Sequence, residues 1–122
     1  MTNKPNFKLT ANISYALAGL QAILRSETSF RIQLFAIALV SVGLVFVPLD
    51  CCSRFVLFIS MWLIPFAEAI NSAIERVVDL VTQEHHPLAG QAKDIGAFVV
   101  LMAFVIVVMI WGAVITHALL RP

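Results

Sequence analysis

The chain has 122 residues, 61% of them hydrophobic and 12% charged, with a formal net charge of +1 and a mean hydropathy of +0.95. A soluble domain of this size cannot hide so much apolar surface in one core, so the composition is that of a membrane protein. The near-neutral charge excludes the basic footprint of a nucleic-acid binder and leaves lipids and small solutes as partners.

Residues 1–7 are polar and expected to be loosely ordered. From 8 to 25, Leu9, Ile13, Leu17, Leu20 and Leu24 recur at helical spacing, with Asn12, Tyr15, Gln21 and Arg25 on other faces. This pattern predicts an amphipathic helix in the membrane interface plane, packed on lipid, on the protein itself, or on both. No compact apolar core leads to a small-residue cleavage site, so a secretory signal is not expected. Residues 26–31 read as a short polar link, with Ser26 or Ser29 as candidate helix caps.

Residues 32–49 are nearly all apolar, about 27 Å of helix, enough for a first span. Pro48, Asp50 and Arg54 mark a turn, and a second span covers 53–81 with Pro65 as a candidate kink. His85, His86, Pro87 and Gly90 place a loop at 83–91. A third span covers 95–120, with Trp111 and His117 toward its far end. Cys51 and Cys52 are adjacent, match no metal or redox spacing, and read as small apolar residues. Residues 1–122 therefore form one all-α integral-membrane domain, without internal repeat.

Charge sets the orientation. Lys4, Lys8, Arg25, Arg31, Arg76 and Lys93 fall before the first span or around the second loop, against Arg54 and Arg121 on the other side. The amino terminus and the second loop are thus expected in the cytoplasm, and the carboxyl terminus outside it.

Within the second span, Glu68, Glu75 and Asp79 fall within roughly 40° of one another around a helix, with Asn71 about 60° to one side. Ionisable groups near a membrane are costly and demand a reason. Glu68 lies roughly 24 Å along a layer of about 30 Å, just inside the cytoplasmic interface, with Glu75 about two turns further out. One carboxylate reaches the depth of a lipid head group, and the others reach water.

That arrangement suits chemistry between a lipid head group and a soluble reactant. A carboxylate partly withdrawn from water is a better base for a poor nucleophile such as an alcohol. Clustered carboxylates at a phosphate site favour magnesium. The same stripe could instead glue helices together or bind protons or cations in a small exporter. No Gly-x-x-x-x-Gly-Lys-Ser/Thr loop and no kinase-type glycine-rich loop is present, so a nucleotide would need another cradle.

The run Glu68-Ala69-Ile70-Asn71-Ser72-Ala73-Ile74-Glu75-Arg76-Val77-Val78-Asp79, followed by Glu84-His85-His86-Pro87-Leu88-Ala89-Gly90-Gln91-Ala92-Lys93-Asp94, resembles the signature of the prokaryotic diacylglycerol kinase family. The amphipathic first helix, three spans and the Glu27 to Arg31 element extend the resemblance over nearly the whole chain. It implies a small integral-membrane kinase working as a homotrimer, with active sites shared between neighbouring protomers. It implies Glu68 as the base on the lipid hydroxyl, and Glu27 and Glu75 as holders of magnesium on the ATP phosphates. Tyr15, Glu84, His86, Lys93 and Asp94 would help to bind the nucleotide, and Phe30, Arg31, Arg54 and Trp111 would line the lipid path.

Two sister activities share this motif, phosphorylation of diacylglycerol and of undecaprenol. Asp94-Ile95-Gly96-Ala97 looks closer to the first, whereas Leu80-Val81-Thr82 and His86-Pro87-Leu88-Ala89 also resemble the second. Lys8 stands where diacylglycerol-specific members often carry Arg, and Leu17 and Gln21 replace larger or charged residues. The favoured expectation is ATP- and magnesium-dependent phosphorylation of diacylglycerol to phosphatidic acid at the bacterial inner membrane. Undecaprenol kinase is the alternative. A non-enzymatic, proton-coupled transporter using Glu68 alone is the further one, but it leaves Glu27, Glu75, Lys93 and Asp94 unexplained.

Overall fold

The computed structural model describes residues 8–120, so the expectations for residues 1–7 and the charges on Lys4 and Arg121 lie outside the described residues. The described chain is helical throughout and contains no strand: α1 Leu9–Ser26, α2 Thr28–Phe46, α3 Cys51–Met61, α4 Leu63–Val81 and α5 Pro87–Leu120. Helices α2, α3 with α4, and α5 are each long and apolar enough to cross a membrane.

The expected polar link at 26–31 is a single residue. Glu27 alone leaves the helical region, at φ −102 and ψ 107, between the end of α1 and the start of α2. Neither serine caps the corner. Ser26 closes α1 and bonds back to the Ala22 carbonyl at 3.1 Å, as hydroxyls inside a helix commonly do, while Ser29 lies in the first turn of α2. The unpaired carbonyls at the end of α1 are met instead by Arg31, whose Nη1 donates to Leu24 O at 3.1 Å and Arg25 O at 3.4 Å. Its Nη2 donates to Thr28 Oγ1 at 2.9 Å. Helix α1 packs mainly on α2, with Ile23 buried near the corner, whereas Leu9, Ile13, Leu17 and Leu20 stay exposed. This is the apolar face expected of an interfacial helix.

At the other end of α2, Asp50 caps α3 by accepting from Ser53 N at 3.0 Å and Ser53 Oγ at 2.6 Å. Arg54 Nη2 donates to the Val47 and Leu49 carbonyls at 3.1 and 3.2 Å, binding the turn to the helix that follows. The second span begins at Cys51, two residues earlier than expected, and runs 31 residues to Val81 with one interruption at Trp62. Pro65 explains it. The proline has no N–H for the Met61 carbonyl and its ring crowds that oxygen, so Trp62 N turns to Ile59 O at 3.2 Å before Phe66 N resumes the ladder to Trp62 O at 3.1 Å.

The loop expected at 83–91 is shorter, residues 82–86. Proline tolerates the first position of a helix because its missing N–H is unneeded there, and α5 accordingly starts at Pro87 with Gly90 inside it. Its 34 residues make about 51 Å, well beyond a hydrocarbon layer of about 30 Å, so the first turns before the expected span at 95 extend the helix outside it.

Buried Ile37, Leu44, Leu57 and Met61 form the core at the α2–α3 end, with Leu49, Phe58, Trp111 and Val114 against them. Trp111 Nε1 donates to Ser60 Oγ at 3.2 Å, and Ser60 Oγ donates to Leu57 O at 2.8 Å, so the one indole in this core is not left unpaired in lipid. Helices α4 and α5 make the most extensive contact. They approach closely at Gly96, which is buried and where an added Cβ would overlap Asn71 Oδ1.

Gly96→Ala should therefore destabilise the protein by about 1–3 kcal/mol, the usual range for overpacking. Gly19, with nothing within 4 Å of an added Cβ, is the control and its alanine variant should be neutral or slightly stabilising. Denaturation of both variants by SDS in mixed micelles measures the difference, and equal stabilities would refute the close packing.

Candidate functional site

The α1–α2 corner and the middle of α4 meet through hydroxyl groups. Ser72 Oγ, buried on α4, donates to Glu27 Oε1 at 3.0 Å, and Ser29 Oγ, in the first turn of α2, donates to Glu68 Oε1. Two helices thus exchange hydroxyl–carboxylate bonds across one interface: Glu27 is held by α4, and Glu68 is held by α2. Ser26 Oγ also lies within hydrogen-bond reach of Glu27 Oε1, at 3.2 Å. Arg76 donates from Nη2 to Ser26 Oγ at 2.5 Å and stands 3.7 Å from Glu27 Oε1.

Glu75 is positioned from within its own helix. Asn71, one turn before it, donates from Nδ2 to Glu75 Oε1 at 3.0 Å. A carboxylate can only accept, so the amide nitrogen must face Glu75 and the amide oxygen faces Gly96. That oxygen is buried without a hydrogen-bond partner. The absence of a side chain at Gly96 is what allows the carboxamide to sit there.

Beyond Glu75 the stripe reaches the α4–α5 loop. Lys93 Nζ donates to Asp79 Oδ1 at 2.6 Å. The two residues border an open pocket of about 260 Å³ together with Thr82, Glu84, His86 and Gly90. His86 Nδ1 accepts from Leu88 N at 3.2 Å, capping the start of α5 with its ring. Asp94 is exposed next to Lys93.

Of the residues singled out from the sequence, Glu27 and Glu68 meet at one corner through Ser72 and Ser29, Glu75 is bonded to Asn71 about two turns beyond Glu68 on α4, and Glu84, His86 and Lys93 border one pocket toward the same end of the bundle. Tyr15 does not join either group through a hydrogen bond; it is exposed on α1, about 18 Å of helix before Glu27. Phe30 is buried beside the corner, and Arg31 is occupied with α1 carbonyls. Trp111 borders an apolar groove of about 460 Å³ with Ile32, Ala36, Val40, Ile64 and Phe104. Arg54 sits at the opposite end, about 21 Å of helix from Glu68.

Sequence reasoning assigned no site role to Ser29, Ser72, Arg76 or Asp79's bond to Lys93. A signal existed for two of them: on a helix Ser72 lies about 40° and Arg76 about 80° from Glu68, beside the acidic stripe. Ser29 carried none, because its partner is 39 positions away.

Among the described residues no cluster of three or more His, Cys, Asp or Glu could hold a metal by itself. Magnesium does not need one. It is commonly held through one or two carboxylates and completed by substrate phosphates and water, so the expected ligands Glu27 and Glu75, bonded to Ser72 and Asn71, are not required to form one.

Three helices fit to cross a membrane, an exposed amphipathic helix and a carboxylate corner at one end define a small helical membrane protein with its polar site at the interface. Comparison with known proteins specifies the class further. The family described as prokaryotic diacylglycerol kinase matches residues 14–115. A diacylglycerol kinase of Escherichia coli K12 is 38% identical over 97 residues, covering 80% of each chain. One from Haemophilus influenzae is 37% identical over 108 residues, 88% of this chain and 91% of the relative, and one from Pseudomonas aeruginosa is 34% identical over 102 residues, 83% and 82%. The chain belongs to the prokaryotic diacylglycerol kinase family and is a lipid kinase.

The Lys93–Asp79 pair is 42% and 53% exposed at its side chains, so screening leaves it little to contribute to folding. A double-mutant cycle with Lys93→Met and Asp79→Asn should therefore show little or no coupling in stability. A strong coupling would mean that the pair is shielded from water in the assembled protein.

Proposed function

We propose that this chain transfers the γ-phosphoryl group of ATP to the hydroxyl of diacylglycerol, giving phosphatidic acid and ADP, on the cytoplasmic side of the bacterial inner membrane. The observation that supports the reading is the corner where Glu27 and Glu68 are tied together from α1–α2 and α4, with Glu75 held by Asn71 further along α4, toward the end that carries the Lys93 pocket. The amino terminus then lies in the cytoplasm and the carboxyl terminus outside it, as the distribution of basic residues supports.

In this reading Glu68 takes the proton from the lipid hydroxyl, the oxygen forms its bond to the γ-phosphorus, and the bond from that phosphorus to the bridging oxygen of ADP breaks. Ser29 fixes the Glu68 carboxylate on one oxygen. Glu27 and Glu75 hold magnesium, which when bound neutralises charge on the phosphates. Tyr15, Glu84, His86, Lys93 and Asp94 help to bind the nucleotide. Lys93 supplies a point charge to phosphate once it leaves Asp79. Phe30, Arg31, Arg54 and Trp111 line the lipid path, and the groove beside Trp111 offers it apolar walls.

The working form is a homotrimer with sites shared between protomers. Buried Ala67 and Ser72 already serve packing within the chain, whereas Ala73 is exposed on α4 and offers a close approach to a neighbour. Undecaprenol remains the alternative lipid, since an apolar groove accepts either hydrocarbon.

Glu68→Gln keeps size and hydrogen bonding but removes the base, so turnover should fall by at least about 10²- to 10⁴-fold with ATP and lipid binding nearly intact. Purified wild type and variant, given ATP, magnesium and either diacylglycerol or undecaprenol, are followed by ADP release and lipid phosphate. A wild type that phosphorylates neither alcohol would refute the kinase chemistry. Ordinary turnover by Glu68→Gln would remove only the base assignment, and the preferred alcohol decides between the two lipids. Glu75→Gln should demand far more magnesium in the same assay; normal activity at limiting magnesium would contradict the metal assignment.

Shared sites make a further prediction. Co-assembling two inactive variants, one Glu68→Gln and one Glu27→Gln, should restore part of the activity through sites that combine intact residues from two protomers. No recovery in freshly mixed and reassembled protein would mean that each site is built within one chain.

A further inference from the structure

Glu27 is offered above as a magnesium ligand, yet a cation already stands beside it. Arg76 Nη2 lies 3.7 Å from Glu27 Oε1 and donates to Ser26 Oγ, which itself reaches the same carboxylate oxygen at 3.2 Å. Arg31 is spent on the Leu24 and Arg25 carbonyls, Lys93 is bonded to Asp79, and Arg25 in the last turn of α1 forms no ion pair among the described residues. Among the described residues Arg76 is therefore the guanidinium paired with Glu27 at the corner. Its side chain is 47% exposed, against 29% for Glu27, so it has room to move while the carboxylate stays held by Ser72.

We propose that Arg76 is the resident counter-cation of Glu27: it occupies the carboxylate while the metal is away, and turns to the nucleotide phosphates when magnesium takes its place. The proposal rests on the kinase reading for its second half only. Two physical points support the exchange. Two carboxylates such as Glu27 and Glu68 brought to one corner repel each other, and an exposed positive group beside them offsets that repulsion in the empty site. A guanidinium also matches phosphate oxygens with two parallel N–H donors, so an arginine released next to the metal has a ready partner in the phosphate chain. Arg76 follows Glu75 in sequence, which places its backbone beside the second proposed metal ligand.

The signs of the consequences differ, and that separates this role from a merely structural one. Loss of the competing cation should strengthen binding of a bare divalent ion to Glu27, whereas loss of the phosphate partner should weaken binding of ATP. Manganese is the probe for the first, its free fraction read by electron paramagnetic resonance on the nucleotide-free full-length protein in detergent. Arg76→Gln should bind manganese at least about threefold more tightly than wild type and raise the KM for ATP at least about threefold, with the KM for the lipid alcohol unchanged. Arg76→Lys, which keeps the charge, should leave manganese affinity near that of wild type, and it serves as the folded control should the glutamine variant assemble poorly. Adding Glu27→Gln to Arg76→Gln should abolish the gain in manganese affinity. Unchanged manganese affinity in Arg76→Gln, or weakening of both ligands together, would overturn the proposal. Lack of turnover on any lipid alcohol by wild type would count against the kinase reading, while the manganese comparison would still judge the Arg76–Glu27 exchange.

Discussion

The hydroxyl of Ser72 on the carboxylate of Glu27 ties the α1–α2 corner to the middle of α4. Glu27 is the only residue between α1 and α2, so the direction in which α1 leaves the bundle is set by the backbone at that residue. Its side chain reaches α4, and the return bond from Ser29 to Glu68 makes the contact reciprocal. Near a membrane, polar groups that miss their partners are costly, so two such bonds fix register between α2 and α4 more firmly than apolar contact alone, which lipid tails could replace. The same bonds aim two carboxylates at one place. Structural cement and candidate chemistry share the same atoms.

A second constraint acts further along α4. Asn71 can orient Glu75 only if α5 passes close by without a side chain at the point of contact, and Gly96 meets that condition. The close approach leaves the Asn71 oxygen without a partner, a local sacrifice of the kind that functional sites tolerate. It also explains why α5 is so long. The contact with α4 continues to the loop, past the expected start of the third span, and carries Lys93 to Asp79. A helix ending at the membrane surface would have left that lysine in a loop, with more freedom and less aim.

The three apolar segments, the amphipathic face of α1 and the acidic stripe were legible because each is a periodic pattern within one element. The boundaries were less so. Pro87 reads equally as a breaker or as the first residue of a helix, and only the packing of α5 on α4 selects the second. Pro65 was visible, but the site where the ladder yields, Trp62, depends on which carbonyl the ring crowds. At the site, Glu27, Glu68 and Glu75 could be singled out from residue type and from the family resemblance. Their holders could not: Ser29 and Ser72 are ordinary small polar residues until the fold brings sequence separations of 39 and 45 into contact.

The two ends of the bundle divide their labour by what water can reach. At the α2–α3 end Arg54 donates to the Val47 and Leu49 carbonyls, and its Nε is buried without a partner, so this guanidinium is built into a turn. At the other end Arg76 pairs with a carboxylate while nearly half its side chain is open. On the proposed reading, a lipid whose hydroxyl is presented to Glu68 would extend its hydrocarbon away from that end, and the apolar groove lined by Ile32 and Trp111 is open to it. Arg54, about 21 Å of helix from Glu68, then lies far from the reacting oxygen. Any contact it makes with substrate would fall on the chains. In the proposed reading, that geometry would have Arg54 and Trp111 bear on which hydrocarbon is accepted, and the carboxylates with Arg76 and Lys93 on whether phosphoryl transfer occurs.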